Sequence, residues 1–204
     1  MSLATYDDLK TAVADWLDRE DLTDRVPDFI AMGEAKISRR LRVAEMELTG
    51  SATMVNGAVT LPPDFIEARR IISDAAGATG TPLEGITPSY ASERFASSQA
   101  GVPTHYAIVG DTLVTYPNGG AGDVTMIYYA RPPAIAAYGT NWLLTRAPDL
   151  YLYASLINAA PFLGDDGRIA TWAGLFEQIL GELQASDERS RYANARTRAW
   201  PGLP

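Results

Sequence analysis

From Leu150 to Phe162 the chain carries no charged side chain. Wound as a helix, Leu150, Tyr153, Ile157 and Ala160 line one face, and Tyr151, Ala154 and Asn158 line another. A helix that is apolar nearly all round must be surrounded by protein. The run is too short to cross a bilayer, which takes about 20 apolar residues. Its start is punctuated: Thr145 is a candidate N-cap whose hydroxyl accepts an orphan backbone N–H. Pro148 falls in the first turn, where its missing N–H costs nothing, and Asp149 sits at the positive end of the dipole. Pro161 ends or kinks the helix. The spacing therefore predicts the central helix of a bundle over 146–163, with other helices packed around it.

Those other helices are legible at both ends of the chain. Thr5 and Asp8 form a capping-box pattern ahead of a helix over 6–19, with Tyr6, Leu9, Val13, Trp16 and Leu17 on its apolar stripe. A second helix is expected from Pro27 to about Glu45, burying Phe29, Ile30, Gly33, Ile37 and Leu41. Glycine inside a helix costs roughly 1 kcal/mol relative to alanine, so Gly33 implies that another helix comes close. After Asp165 and Asp166 a last long helix is expected to about Arg191, with Ile169, Trp172, Phe176, Ile179 and Leu183 on its stripe.

Between these ends the period changes to strand-like alternation. Ser51–Val55 and Ala58–Leu61 flank Asn56-Gly57, the pattern of a two-residue hairpin. Phe65–Ser73 and Thr81–Glu84 read as further strands, and Thr87-Pro88 opens a short helix to about Ala96. His105–Val109, Thr112–Tyr116 and Asp123–Arg131 complete the strands, and Pro132-Pro133 ends the sheet. The expected fold class is α+β: an antiparallel helical bundle from both chain ends with an inserted antiparallel β-rich region. Residues 1–47 and 141–192 would form the bundle, 48–140 the insertion, and 193–204 an extended C-terminal tail.

Few of the motifs that mark enzymes occur, although pairs of carboxylates for hydrolysis stay open among the 25 acidic residues. There is no cysteine and a single histidine, His105, so thiolate sites, disulfides and an intrachain histidine metal cluster are excluded. No nucleophile elbow or phosphate-binding P-loop occurs. Gly119-Gly120-Ala121-Gly122 has no helix after it, so it makes no phosphate cradle. We expect no catalytic, cofactor-binding or metal residue, and no enzyme. The net charge of −8, from 17 basic and 25 acidic residues, argues against general nucleic-acid binding. No secretion signal is expected, and the lack of cysteine fits a reducing cytoplasm.

Two stretches carry a family resemblance. Trp142-Leu-Leu-Thr-Arg-Ala-Pro-Asp-Leu-Tyr-Leu-Tyr153, followed by Ala-Ala-Pro-Phe-Leu163, resembles the head-to-tail adaptor (head completion, or connector) proteins of tailed bacteriophages. Asp21-Leu-Thr-Asp-Arg-Val-Pro-Asp-Phe-Ile-Ala-Met-Gly-Glu-Ala-Lys-Ile-Ser-Arg-Arg-Leu-Arg42 resembles the second helix of the same family. The resemblance implies a structural virion protein: an adaptor ring between portal and tail, most commonly of twelve copies. Its partners would be the portal protein, a tail or stopper/nozzle protein, and further copies of itself. Genomic DNA would pass through the lumen without sequence-specific binding, and no membrane is involved. The place of action would be the virion head–tail junction, with the host cytoplasm before assembly.

Within that frame two groups of residues stand out. Lys36, Arg39, Arg40 and Arg42 cluster near the C-terminal end of the second helix. They either complement its dipole or contact an acidic neighbouring subunit or the portal. After Glu188 the chain has four arginines and no acidic side chain. Arg189, Arg191, Tyr192, Arg196, Arg198 and Trp200 are the candidate portal interface, because tryptophan and arginine are enriched at interface hot spots. This tail is expected to be mobile in the free subunit and ordered on the portal. The glycine-rich turns at Ala75–Gly80 and Pro117–Gly122 are expected to meet adjacent subunits or the next tail component. The alternative function is a β-rich ligand- or glycan-binding module on a helical scaffold, using Tyr106, Tyr116, Tyr128 and Tyr129. Strand alternation puts Tyr128 and Tyr129 on opposite faces and weakens it.

Overall fold

The computed structural model describes residues 3–75, 80–95, 100–118, 120–164 and 166–192. In chain order the elements are α1 (Tyr6–Leu17), α2 (Val26–Arg40), β1 (Glu47–Met54), β2 (Ala58–Thr60), β3 (Phe65–Ser73), β4 (Thr81–Pro82) and β5 (Glu84–Gly85). They continue with α3 (Pro88–Arg94), β6 (His105–Val109), β7 (Thr112–Tyr116), β8 (Gly122–Ala130), α4 (Ile135–Tyr138), α5 (Trp142–Arg146), α6 (Pro148–Asn158), α7 (Ala160–Leu163) and α8 (Arg168–Tyr192). The chain divides into two compact units, residues 1–44 with 132–204, and residues 45–131.

In the first unit, α1 starts at a complete capping box. The Thr5 hydroxyl accepts from the Asp8 N–H, and the Asp8 carboxylate accepts from the Thr5 N–H, both at 3.2 Å. The helix stops at Asp18, a left-handed residue with φ 53°. Leu9, Val13 and Leu17 are buried as expected, but Trp16 is 42% exposed and lies only edge-on to Tyr153. Helix α6 is the core of the unit and packs against α1, α2 and α8. Leu150, Tyr151, Leu152, Ala154, Ser155 and Leu156 are all buried, which is what its uncharged sequence requires. Gly33 is where α2 meets it. A Cβ at Gly33 would lie 3.2 Å from the Ser155 nitrogen and 3.3 Å from Ala154.

The expected helix over 146–163 is divided in three. Ala147 has a non-helical backbone (φ −141°, ψ 69°) and separates α5 from α6. Thr145 does not cap α6. Its hydroxyl donates back to the Asn141 carbonyl, and Asn141 caps α5 by accepting from the Leu144 N–H at 2.7 Å. Pro161 opens the short α7 instead of ending α6.

In the second unit two four-stranded sheets form, ordered β1-β8-β3-β4 and β2-β7-β6-β5. Met54, Val59, Ile71, Leu113, Val124 and Met126 make up the centre of its core, drawing on strands of both sheets. The Asn56-Gly57 turn forms, with φ of 51° and 73° and reciprocal bonds between Val55 and Ala58. It does not make the expected two-stranded hairpin, because β1 pairs with β8 whereas β2 pairs with β7. The reason lies in the turn itself: the Gly57 carbonyl accepts from the Thr115 N–H at 2.8 Å and from the Thr115 hydroxyl at 3.0 Å. The turn is thereby tied to β7.

The fold class is α+β, but its expected form needs correction. An antiparallel helical bundle with an inserted antiparallel β-rich region is not what forms. Helix α3 belongs to the β-containing unit, and α4, α5 and α7 are only four or five residues long. The second sheet is mixed, since β5 runs parallel to β6. Parallel neighbours need a crossover connection, and the segment carrying α3 supplies it.

Candidate functional site

The basic end of α2 is largely engaged within its own unit. The Lys36 ammonium lies 4.8 Å from the centroid of the Phe176 ring. Arg40 makes a two-pronged bridge to Glu177, with Nη2–Oε2 at 2.6 Å, and its guanidinium also faces Phe176. The hydrogen bond from Arg40 holds the Glu177 carboxyl below its ordinary range. Arg42 donates to the Ser38 and Leu41 carbonyls, at 2.9 and 2.6 Å, which is the C-terminal dipole arrangement. Arg39 is exposed.

The C-terminal candidates divide in two. Arg189 and Arg191 lie in the last turns of α8, not in an extended tail, and the backbone of Tyr192 completes that helix. Arg189 donates to the Ala185 carbonyl at 3.1 Å. Arg191 pairs at 2.6 Å with Asp187, whose other oxygen accepts from the Ala44 N–H at 2.8 Å. Arg196, Arg198 and Trp200, with the rest of 193–204, lie outside the described residues.

The loops of the second unit converge at one end of it. The Asp74 N–H donates to the Asp123 carbonyl at 2.8 Å, and the Gly57 N–H to the Gly120 carbonyl at 2.9 Å. Gly122 packs so closely that a Cβ there would lie 2.6 Å from the Ala75 Cα. Asn118 accepts from the Gly120 N–H with its side chain and from the Gly101 N–H with its carbonyl. The described residues flanking both glycine-rich turns thus lie together beside the Asn56-Gly57 turn, while residues 76–79 and 119 lie outside the described residues. The four tyrosines of the alternative reading do not gather. Tyr128 and Tyr129 are buried, and register places Tyr116 with His105 but Tyr106 with Thr115, on the opposite face.

One polar network was not foreseen. The Glu34 Oε1 accepts from the Ile135 N–H at 3.0 Å and from the Tyr151 hydroxyl at 3.4 Å. Asn141 Nδ2 donates to that same hydroxyl at 2.8 Å and to the Pro133 carbonyl at 2.7 Å. Burial pushes the Glu34 carboxyl up, with these two hydrogen bonds acting against it, and burial likewise pushes up the Tyr151 phenol. The network fastens residues 133–141 onto α2 and α6. A signal was present: Glu34 stands four residues after Ile30, beside the buried stripe of α2. Among the described residues no group of three or more His, Cys, Asp or Glu is placed to hold a metal ion. No described helix is long and apolar enough to cross a membrane.

What the molecule offers is surfaces: a loop cluster, a basic helix end, and long helices packed on α6. Compared with known families, its sequence matches the model of the SU10 adaptor protein over residues 4–199. The chain belongs to the SU10 adaptor protein family. This is a phage head-to-tail adaptor family, so the resemblance read from the two terminal stretches holds. Membership makes the chain a bacteriophage adaptor and implies the virion as its place and portal and tail proteins as its associates. No curated protein matches it.

Proposed function

We propose that this SU10-family adaptor assembles as a ring, of twelve copies, between the portal and the tail. The observation that carries the reading is the family match, which spans both units. The protein acts by shape and contact and not by catalysis. Subunit contacts involve the basic end of α2 (Lys36, Arg39, Arg40 and Arg42), with Arg39 the most available of the four. Portal contacts involve Arg189, Arg191, Tyr192, Arg196, Arg198 and Trp200. The loop cluster of the second unit meets the tail-side component. DNA passes through the lumen, and the net charge of −8 suits a wall to which DNA does not adhere. Subunits collect in the host cytoplasm and join the virion at the portal.

Electron microscopy of the full chain mixed with purified portal tests this. Rings of adaptor on one face of the portal are expected. A portal that recruits no adaptor, together with virions lacking the protein, would sink the reading.

A further inference from the structure

Strand β1 is the edge of its sheet, and it lacks the devices by which proteins keep edges from pairing. Its register against β8 runs unbroken from Glu47↔Tyr129 to Met54↔Gly122, so no bulge twists it away. The sequence ELTGSATM has no proline and no basic residue, and its one charge stands at the first position. Leu48, Thr49, Ser51 and Thr53 are exposed. Alternate residues of an antiparallel strand aim N–H and C=O away from the paired neighbour. Among the described residues no backbone hydrogen bond reaches that outer side of residues 48–53. The natural occupant would be the returning arm of the Asn56-Gly57 turn, but β2 touches β1 only at Val55↔Ala58 and then pairs with β7. Among the described residues no strand takes the place beside β1.

We propose that this edge receives an extended segment of the tail-side partner protein, added as a further strand beside β1. The inference rests on the tail-side reading of the loop cluster, with which the edge is continuous through Met54↔Gly122. A neighbouring copy of the chain is the poorer occupant for a head-to-tail ring. The other sheet edges, β2, β4 and β5, have only three, two and two residues, too few to zip along β1. The chemistry of the segment follows from the strand. The exposed side chains of the edge, Leu48, Thr49, Ser51 and Thr53, are uncharged, so hydroxyl-bearing and β-branched residues suit the incoming strand. Gly50 carries no side chain, and the edge of the Tyr128 ring lies 3.5 Å from where its Cβ would be, so the face they share is already covered there.

The test uses Thr49→Pro and Gly50→Pro in the full chain. Of two consecutive residues one N–H serves β8 and the other points outward. The outward proline keeps the β1–β8 ladder and removes a donor from the incoming strand, while the other unfolds the sheet, so circular dichroism and thermal unfolding identify which is which. Leu48→Lys, at an exposed position, is the second blocking variant. Each folded variant complements a phage lacking its adaptor, and adaptor-bearing heads and tailed particles are counted separately. Expected are heads that carry the adaptor, with tail attachment reduced on the order of tenfold or more, as for the loss of one or two backbone hydrogen bonds. Unchanged tailing overturns the proposal. So do heads without adaptor, which would place the edge at the portal or subunit contact, and so does a dimer of the free chain that Leu48→Lys dissolves. Wild-type complementation reports on the underlying adaptor reading by itself.

Discussion

The two units treat their unmet groups in opposite ways. In the helical unit the charges that drew notice in the sequence are largely consumed internally: Lys36 and Arg40 on Phe176, Arg40 on Glu177, Arg191 on Asp187. In the β-containing unit little charge is gathered, yet among the described residues no backbone partner meets residues 48–53 of β1 on one side. A cluster of side-chain charges is a weak sign of an interface, because long side chains fold back onto their own helix and neighbours. An unpaired strand edge is a stronger one, because the backbone has no such freedom.

The sharpest way to probe the contrast is to disturb each core. Leu150→Ala in α6 and Leu113→Ala in β7 remove fully buried side chains. Each is expected to cost about 2–5 kcal/mol in urea unfolding. If the units are stabilised independently, helical ellipticity at 222 nm reports the first and strand-based probes the second. A single coincident loss for both variants would erase the distinction.

Next in size come the two glycines at close approaches. Gly33→Ala presses on the backbone of α6, an overpacking cost of about 1–3 kcal/mol, from which about 1 kcal/mol of helix propensity is recovered. Gly57→Ala meets a left-handed φ of 73° and the Asn118 side chain, which stands where the new Cβ would go, for a loss of about 1–2 kcal/mol. Denaturant midpoints rank the pair, and a stabilised Gly33→Ala would mean that α2 and α6 part easily.

The polar network gives a smaller, pH-dependent effect. Tyr151→Phe should lose about 1 kcal/mol, since Glu34 and Asn141 each lose one partner. A carboxyl held above its ordinary range binds its proton more tightly folded than unfolded. Its contribution to stability is therefore present at low pH and is lost as pH rises from the ordinary carboxylate range through the higher folded value. In Glu34→Gln that slope should vanish, and thermal melts across the acid range compare the two. Smallest of all, Arg39→Ala should leave stability unchanged and Arg40→Ala should cost at most about 1 kcal/mol, as exposed pairs do. A larger loss at Arg40 would make its bridge to Glu177 structural.

What could be read in advance was what the chain decides locally. Thr5 and Asp8 are three residues apart, and their box forms whatever the rest does. Gly33 announced a close helix because nothing else explains its cost. The uncharged run 150–158 announced a buried helix for the same reason. What escaped is decided at a distance. Asn141 rather than Thr145 became a cap because its amide also reaches Tyr151 and Pro133. The Asn56-Gly57 dipeptide dictates a turn, but Thr115, far along the chain, decides which sheet the second arm joins. The division of the expected central helix, by contrast, was locally encoded: Ala147 precedes Pro148, and the residue before a proline is pushed out of the helical region.

The division of β1 and β2 between two sheets has a consequence for how the chain is made. β1 leaves the ribosome early but finds its strand partner in β8, and α1 and α2, which touch each other, find their main partner in α6. Neither unit can close until its late segment has been synthesised, at roughly 5–20 residues per second. Such non-local pairing also makes folding intrinsically slow. An edge suited to an incoming strand is therefore on display before the core behind it exists. For nascent chains stalled just before Gly122, the expectation is protease sensitivity of β1, α1 and α2, with protection arriving first in the second unit, once β8 is made, and later in the first, once α6 is.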